Sequence, residues 1–131
     1  MTTKAELMLK YRYMFEGPNI GLDMYEGWLP TFAAACADVD KLLGADKAGF
    51  HFRQVKEKFG SARIYWSSNI LDKEVENAIT RLIHRAETET ESLCMVCNAP
   101  AEIKKYGGWF ACLCDVHGRE HLQKKSLERS S

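Results

Sequence analysis

Two short pairs of cysteine and histidine residues near the C-terminal end constrain this chain more than any other feature. The first pair is Cys94 and Cys97, and the second is Cys114 and His117, with two residues between the members of each pair. Sixteen residues separate the pairs, and Gly107-Gly108 lies within that interval between segments with strand character. In a zinc ribbon or treble-clef-like knuckle, two tight turns each present two ligands to one tetrahedral ion. The spacing therefore predicts a structural Zn²⁺ site, because four protein ligands leave the ion no open position for water.

The choice of metal and the choice of ligands rest on separate arguments. Zinc is favoured over an iron–sulfur cluster because a histidine completes the set and because ribbon spacing is typical of zinc. Two further residues leave the ligand set open, since Cys112 could replace Cys114 and His121 could replace His117. Cys114 with His117 is favoured because that spacing forms a knuckle directly. Otherwise Cys112 is expected to be a buried hairpin residue and His121 a solvated helix residue.

The composition is that of a globular protein without a strong overall field. The chain has 131 residues, 46% of them hydrophobic, and its 18 basic residues balance its 18 acidic residues. A chain with no net charge has no overall electrostatic field that would attract nucleic acid or an anionic membrane. Four of its five cysteines lie between residues 94 and 114, which favours metal-binding thiolates over a disulfide framework. With no long apolar stretch and a polar N-terminus, the sequence predicts a cytoplasmic protein without a membrane partner.

Hydrophobic periodicity predicts an α+β fold: a small antiparallel sheet with about three helices, followed by a C-terminal zinc ribbon or knuckle. The helices are expected over residues 5–15, 28–43 and 70–90, with Leu71 on the buried face of the third. A short strand is expected from Ile20 to Met24, and two more over 50–66, joined at Phe59-Gly60-Ser61. The apolar phase shifts between Phe52 and Val55, which predicts a β-bulge there.

The chain is expected to divide into three segments. The α+β body spans residues 1–91, the zinc ribbon 92–122 and a polar tail 123–131. Within the ribbon, Ile103 to Tyr106 and Trp109 to Leu113 are expected to pair as a hairpin across Gly107-Gly108, because glycine tolerates the positive φ of a two-residue turn. That hairpin would bring the second ligand pair back beside the first.

The segment from Arg53 to Tyr65 combines cations with aromatic side chains. Its possible recognition surface consists of Arg53, Lys56, Lys58, Arg63 and Tyr65. Arginine and aromatic residues are enriched in binding hot spots, and basic residues with stacking rings are typical of single-strand binding. The alternative is a solvated strand face with aromatic cross-strand packing. The sequence alone leaves both interpretations open.

Several segments together resemble a family of small uncharacterised zinc-ribbon proteins found in phages, prophages and bacterial genomes. The segments that carry the resemblance are Gly27-Trp28, Gln54 to Gly60 (QVKEKFG), Arg63 to Tyr65, Cys94 to Cys97 with Ala99-Pro100, Gly107 to Trp109, and Leu113 to His117. Their order along the chain strengthens each of them. The resemblance implies a zinc-binding, phage-type accessory protein, and it supplies no activity.

Three positions depart from the pattern of that family. Asn98 stands where such knuckles usually place glycine after the second cysteine, and Ser61 follows Gly60 where a second glycine is common. Cys112 stands where a hydroxyl or another small residue is expected, which leaves an additional thiol beside the site. None of the departures removes a predicted ligand.

Two binding functions are predicted, and an enzyme is not. The first is stoichiometric binding to a protein partner, such as host or phage machinery or a defence system, which the closed metal site, small size and zero net charge favour. The alternative is nucleic-acid binding, in which the hairpin cations form one basic face with Lys104, Lys105, Lys124 and Lys125. No catalytic site is expected, because the chain has no paired carboxylates at motif spacing, no phosphate-binding glycine loop and no nucleophile–base constellation.

Overall fold

The computed structural model describes residues 3–17 and 22–130, with side chains described as far as Leu122. Within that part of the chain the architecture is α+β, as predicted, with four α-helices, a three-stranded sheet and a two-stranded sheet. In chain order the elements are α1 (Lys4–Lys10), β1 (Leu22–Asp23), α2 (Leu29–Leu43), β2 (His51–Lys58), β3 (Ser61–Ser67), α3 (Lys73–Thr90), β4 (Glu102–Tyr106), β5 (Trp109–Leu113) and α4 (Asp115–Ser130). Short 3-10 helices lie at Arg12–Phe15, Glu26–Trp28 and Gly44–Gly49.

The predicted first helix divides into two pieces. Thr3 caps α1 by accepting a hydrogen bond from the Glu6 N–H at 3.1 Å, and α1 ends at Lys10. Tyr11 follows with φ −118° and ψ 49°, outside the helical region, and the chain continues over Arg12–Phe15 as a 3-10 helix. The apolar periodicity therefore continues past the end of α1, and no residue type at Tyr11 indicates that the helix stops there.

The first strand shows that the prediction of a wholly antiparallel sheet is wrong. The sheet order is β1-β2-β3, and β1 pairs with β2 in parallel through Leu22 opposite Val55 and Asp23 opposite Lys56. The connection between these strands contains α2, and a crossover of that length returns the chain in the same direction. Of the strand predicted from Ile20 to Met24, only β1 is a strand, and Ile20 lies outside the described residues.

The second helix forms as its residues predict. Pro30 lies in the first turn of α2, where its missing N–H has no intrahelical partner to lose, and Gly44 ends the helix with φ +67°. The buried face of α2 consists of Leu29, Phe32, Ala35, Cys36 and Val39. Cys36 is therefore a core residue, and burial raises the pKa of its thiol.

The third helix begins later than its apolar pattern indicates. The Asp72 side chain accepts a hydrogen bond from the Glu74 N–H at 2.9 Å and caps the first turn, so that α3 starts at Lys73. Leu71 was predicted to lie on the buried face, but it precedes the cap and is 96% exposed. The cap position, rather than the hydrophobic period, decides where this helix starts.

The C-terminal half of α3 lies along the edge of β3 that is not paired with β2. The Thr90 hydroxyl accepts a hydrogen bond from the Ala62 N–H at 2.9 Å, and the Glu87 carboxylate accepts one from the Ile64 N–H at 2.8 Å. Both N–H groups would otherwise lack a partner at the sheet edge. Side chains of α3 thus satisfy two outward-facing donors of the third strand.

The β2–β3 hairpin has the predicted bulge and turn. Its register shifts between Phe52 and Gln54, and Lys58 lies opposite Ser61 on either side of the two-residue turn. Both turn residues have positive φ, +54° for Phe59 and +89° for Gly60. Positive φ at both central positions defines a type I′ turn, which matches the twist of the flanking strands. Glycine adopts this conformation without cost, whereas for a bulky residue such as Phe59 the same conformation costs free energy.

The Phe59→Asn variant is expected to raise the free energy of unfolding by about 1 kcal/mol, because the left-handed region costs an L-residue about that much. Asparagine tolerates this region, and Asn-Gly is the preferred dipeptide of a type I′ turn. In a domain of this size the melting temperature should rise by about 4 °C. Thermal unfolding followed by circular dichroism measures the change, with Phe59→Ala as a control that keeps both a Cβ and the strain. Equal melting temperatures for the two variants would contradict the backbone explanation.

The hydrophobic core is continuous from the body into the ribbon. It contains Trp28, Phe50 and Val55 from the body together with Met95 and Cys112 from the ribbon, all of them buried. The predicted boundary between residues 91 and 92 therefore crosses a shared core, and the division into 1–91, 92–122 and 123–131 stays a prediction. The backbone of residues 123–130, predicted as a tail, belongs to α4.

Candidate metal centre

The first ligand pair lies in a tight turn that precedes β4. The Asn98 N–H donates to the Cys94 carbonyl at 2.9 Å, and the Cys94 N–H donates to the Ala99 carbonyl at 2.7 Å. Asn98 has a φ of +71°, a left-handed conformation that asparagine adopts more readily than other residues with a Cβ. Asparagine at this position therefore substitutes for the glycine of similar knuckles and leaves the turn intact.

The second ligand pair lies where β5 passes into α4. Cys114 follows the last residue of β5, and His117 lies in the first turn of α4. The Gly118 N–H donates to the Cys114 carbonyl at 2.8 Å, which closes that turn. β4 and β5 pair in antiparallel register across Gly107-Gly108, as predicted, and so return the chain to the first ligand pair.

The four predicted ligand atoms meet in one place. The Sγ atoms of Cys94, Cys97 and Cys114 and a ring nitrogen of His117 all lie within 4.8 Å of one another. Cys97 Sγ is 3.8 Å from Cys114 Sγ, and His117 Nδ1 is 3.6 Å from Cys94 Sγ and 3.2 Å from Cys114 Sγ. Tetrahedral ligands with Zn–S of about 2.3 Å and Zn–N of about 2.0 Å stand about 3.5–3.8 Å apart. Two of the three measured edges match these lengths, and the four residues could hold a metal ion.

Hydrogen bonds and neighbouring thiols shift the pKa values of the three cysteine ligands. Burial acts to raise the pKa of Cys94, but backbone N–H groups, including that of Val96 at 3.4 Å, outweigh it and lower the pKa. The His117 backbone N–H lowers the pKa of the Cys114 thiol. The Ala99 N–H acts in the same direction on Cys97, yet partial desolvation and the adjacent thiols raise the pKa of Cys97 overall. The lowered pKa values favour ionisation of Cys94 and Cys114. A bound cation would offset the repulsion from neighbouring thiolates that opposes ionisation of Cys97.

The two alternative ligands lie outside the group that the described residues form. The Cys112 thiol donates to the Glu91 carbonyl at 3.4 Å, and burial raises its pKa to about 11. The His121 ring contacts the rings of Tyr106 and Trp109, at centroid distances of 5.7 and 5.0 Å. Cys112 is therefore a buried hairpin residue, as expected. His121 is half-buried between two rings, so the expectation of a solvated helix residue is wrong.

The turn of the first ligand pair is attached to the body at the start of α2. The Gly27 N–H donates to the Met95 carbonyl at 2.9 Å, and the Trp28 indole N–H donates to the Leu93 carbonyl at 2.8 Å. The Asn98 side-chain amide donates to the Gly27 carbonyl at 2.6 Å. A Cβ atom at Gly27 would lie 2.3 Å from the Cys94 carbonyl oxygen, so only glycine permits this approach. Gly27 and Trp28 therefore support the metal site from a distant part of the sequence, since Gly27 precedes Cys94 by 67 residues (94 − 27).

Sequence reasoning did not assign this supporting role to Gly27 and Trp28. The available signal was a glycine immediately before the start of a helix, followed by a tryptophan. A glycine at such a position indicates either a backbone break or a close approach by another segment, and only the tertiary structure distinguishes the two.

The predicted recognition residues lie on the β2–β3 hairpin, and four of the five share a face. Lys56 and Arg63 are register partners, Lys58 follows Lys56 by two positions, and Tyr65 follows Arg63 by two. Because successive side chains of a strand point to opposite faces, these four lie on one side of the sheet. Arg53 lies in the bulge and is exposed, as are Lys58, Arg63 and Tyr65, whereas Lys56 is half-buried. The hairpin is separate from the metal ligands.

The chain matches no family model, no curated protein and no solved structure. The resemblance to small phage and bacterial zinc-ribbon proteins therefore stays a prediction. No helix in residues 3–17 and 22–130 combines the length and the apolar character needed to cross a membrane.

Proposed function

We propose that the metal is Zn²⁺ and that its role is structural. The observation that supports zinc is the donor set, three thiols and one imidazole, at separations that suit a tetrahedral ion. Thiolate and imidazole ligands together favour zinc over the oxygen-binding cations Mg²⁺ and Ca²⁺. All four positions are supplied by protein, which leaves none for substrate or water. The site is accordingly suited to stabilising the ribbon and not to catalysis.

The function best supported by this geometry is stoichiometric binding to a protein partner by a small accessory protein. The observation that carries it is one face of the β2–β3 hairpin, on which the exposed side chains of Lys58, Arg63 and Tyr65 lie together with the half-buried Lys56. Exposed arginine and tyrosine on a rigid sheet are typical of binding hot spots. The proposal includes action in the reducing bacterial cytoplasm, which five free cysteines support, and a phage-type role, which rests on the resemblance.

Affinity capture of the tagged full chain from bacterial lysate, with and without nuclease, tests the protein-partner proposal. One protein should be retained in equimolar amount in both samples. The Arg63→Ala, Tyr65→Ala double variant should lose it, whereas Lys41→Ala, an exposed cation on α2, should retain it. Absence of any equimolar protein, or equal capture by the double variant, would contradict the proposal and its surface.

Nucleic-acid binding is the second candidate function, and one specific observation favours it. Arg53, Lys56, Lys58 and Arg63 form no ion pair with any side chain that the structure describes. The hairpin 51–67 contains a single carboxylate, Glu57, which accepts a hydrogen bond from the Gly60 N–H at 2.8 Å. A neutral chain thus carries a locally cationic sheet, and local positive charge is what phosphate backbones require.

A further inference from the structure

A strip of aromatic and cationic side chains, exposed except for the half-buried Lys56, runs from the ribbon hairpin across the β2–β3 hairpin. We call it the aromatic–cationic strip and define it by Phe110, Phe59, Lys58, Lys56, Arg63 and Tyr65. Phe59 and Phe110 meet edge to face with ring centroids 6.1 Å apart. The Lys58 ammonium lies 5.5 Å from the centre of the Phe59 ring and so connects this ring pair to the sheet. The strip is therefore continuous, although it draws on three strands of two separate sheets.

Phe59 occupies a position that stability alone does not favour. Its ring is 62% exposed and its backbone is left-handed, so it neither fills the core nor suits the turn. The turn packs against the ribbon, because a Cβ at Gly60 would lie 3.0 Å from a methyl group of Ile103 on β4, and the Gly60 N–H donates to the Glu57 carboxylate at 2.8 Å. Strained, exposed residues held by a rigid scaffold occur preferentially at functional sites. Phe59 is thus an aromatic side chain presented to solvent at a fixed place.

The spacing of rings and charges along the strip suits one class of ligand. On the β2–β3 hairpin, the cations Lys58, Lys56 and Arg63 lie between two rings, Phe59 in the turn and Tyr65, which is 46% exposed. From Ser61 to Tyr65 the strand advances roughly 13 Å at about 3.3 Å per residue. Rings that stack on unpaired bases and cations that follow the phosphates between them are the two elements of single-strand binding. A duplex keeps its bases stacked inside and offers nothing to the rings.

We propose that the aromatic–cationic strip binds single-stranded nucleic acid, with Phe59 and Tyr65 stacking on bases and Lys56, Lys58 and Arg63 contacting phosphates. Phe110 supports the Phe59 ring from its edge. The inference rests on the second candidate function and makes it specific as to strand state and binding site. It is an alternative to the protein-partner proposal, because both occupants would use Arg63 and Tyr65. It adds Phe59 and Phe110 to the predicted surface.

Fluorescence anisotropy of a labelled oligothymidylate, as DNA and as the matching RNA oligouridylate, tests the proposal with the zinc-loaded full chain. Three phosphate contacts predict a slope of log K against log salt of about −2 between about 50 and about 200 mM. Phe59→Asn should weaken binding roughly 5- to 150-fold, the value of one stacked base. Arg63→Gln should reduce the magnitude of the slope by about 0.7. Leu71→Ala and Lys41→Gln, exposed and remote from the strip, should change neither quantity.

The outcomes separate this inference from the candidate function on which it rests. If Phe59→Asn weakens single-strand binding while its melting temperature rises, the loss cannot come from unfolding and the strip is supported. Single-strand binding that Phe59→Asn and Tyr65→Ala leave unchanged overturns the strip, and nucleic-acid binding stands. Equal or tighter binding of a duplex of the same length overturns strand selectivity. If no nucleic acid binds at low salt, both the inference and the second candidate function are wrong.

Discussion

The Cys94→Ser, Cys97→Ser double variant is expected to lose its metal and to unfold residues 94–118, while the β1–β2–β3 sheet stays folded. The remaining pair, Cys114 and His117, supplies only half of a tetrahedral set. Structural zinc sites contribute about 10–16 kcal/mol of apparent binding free energy in zinc-finger peptides, so the loss exceeds what the small ribbon hairpin can replace. Zinc content by mass spectrometry and amide hydrogen exchange along the chain measure the two effects.

The contacts at the start of α2 predict which amides outside the ribbon should lose protection from hydrogen exchange in this double variant. The Gly27 N–H donates to the Met95 carbonyl, so its amide should lose protection together with the ribbon. Amides of β2 and β3 that pair within their own hairpin should keep theirs. Cys112→Ala is the matched control, because it removes a neighbouring thiol that is not one of the four grouped ligands and should retain full zinc. Equal loss of protection in sheet and ribbon would instead show one cooperative unit.

The Trp28→Ala variant is expected to lower the free energy of unfolding by about 3–5 kcal/mol, the usual cost of deleting a buried tryptophan side chain. Trp28 has no exposed surface, and its indole N–H is the hydrogen-bond partner of the Leu93 carbonyl beside the first ligand pair. Loss of that donor should also loosen the turn that presents Cys94. Zinc affinity should therefore fall along with stability, a coupling that packing in the body alone would not produce.

Urea denaturation and competition with a chromogenic zinc chelator measure the two consequences of Trp28→Ala. Trp28→Phe removes the donor but keeps one aromatic ring, so its effect combines the lost hydrogen bond, worth about 1 kcal/mol, with a smaller cavity than Trp28→Ala leaves. Trp66→Ala serves as the control, because Trp66 is half-buried and stacks on Phe50 at 5.3 Å, away from the ribbon. Unchanged zinc affinity in Trp28→Ala would show that the contact with Leu93 does not support the metal site.

Features determined by local sequence were predicted from it. The hairpin across Gly107-Gly108 depends on adjacent glycines, and the bulge after Phe52 on a shift of apolar phase, so both can be recognised within a few residues. The grouping of Cys94 and Cys97 with the second pair also follows from local spacing and one hairpin. Each of these features needs little information from distant parts of the chain.

Features determined by distant contacts were not predicted. The parallel direction of β1 depends on the crossover through α2, and the supporting role of Gly27 depends on the approach of Cys94 from a remote segment. Leu71 fits the apolar period, but the cap formed by Asp72 excludes it from the helix. The left-handed Phe59 opposes its own residue preference, so propensity argues against the conformation that the rigid turn imposes.

The side chains of α3 that bond the outer edge of β3 also restrict how this protein can associate with others. An uncovered edge strand is a template on which a further strand, from a second copy or an extended peptide, can add. With Thr90 and Glu87 bonded to the Ala62 and Ile64 amides, two successive donors along that edge are already engaged. Growth of the sheet into a ladder of copies is blocked on this side. A ligand that approaches from this side is therefore expected to lie across the face of the hairpin and not to add a strand beside β3.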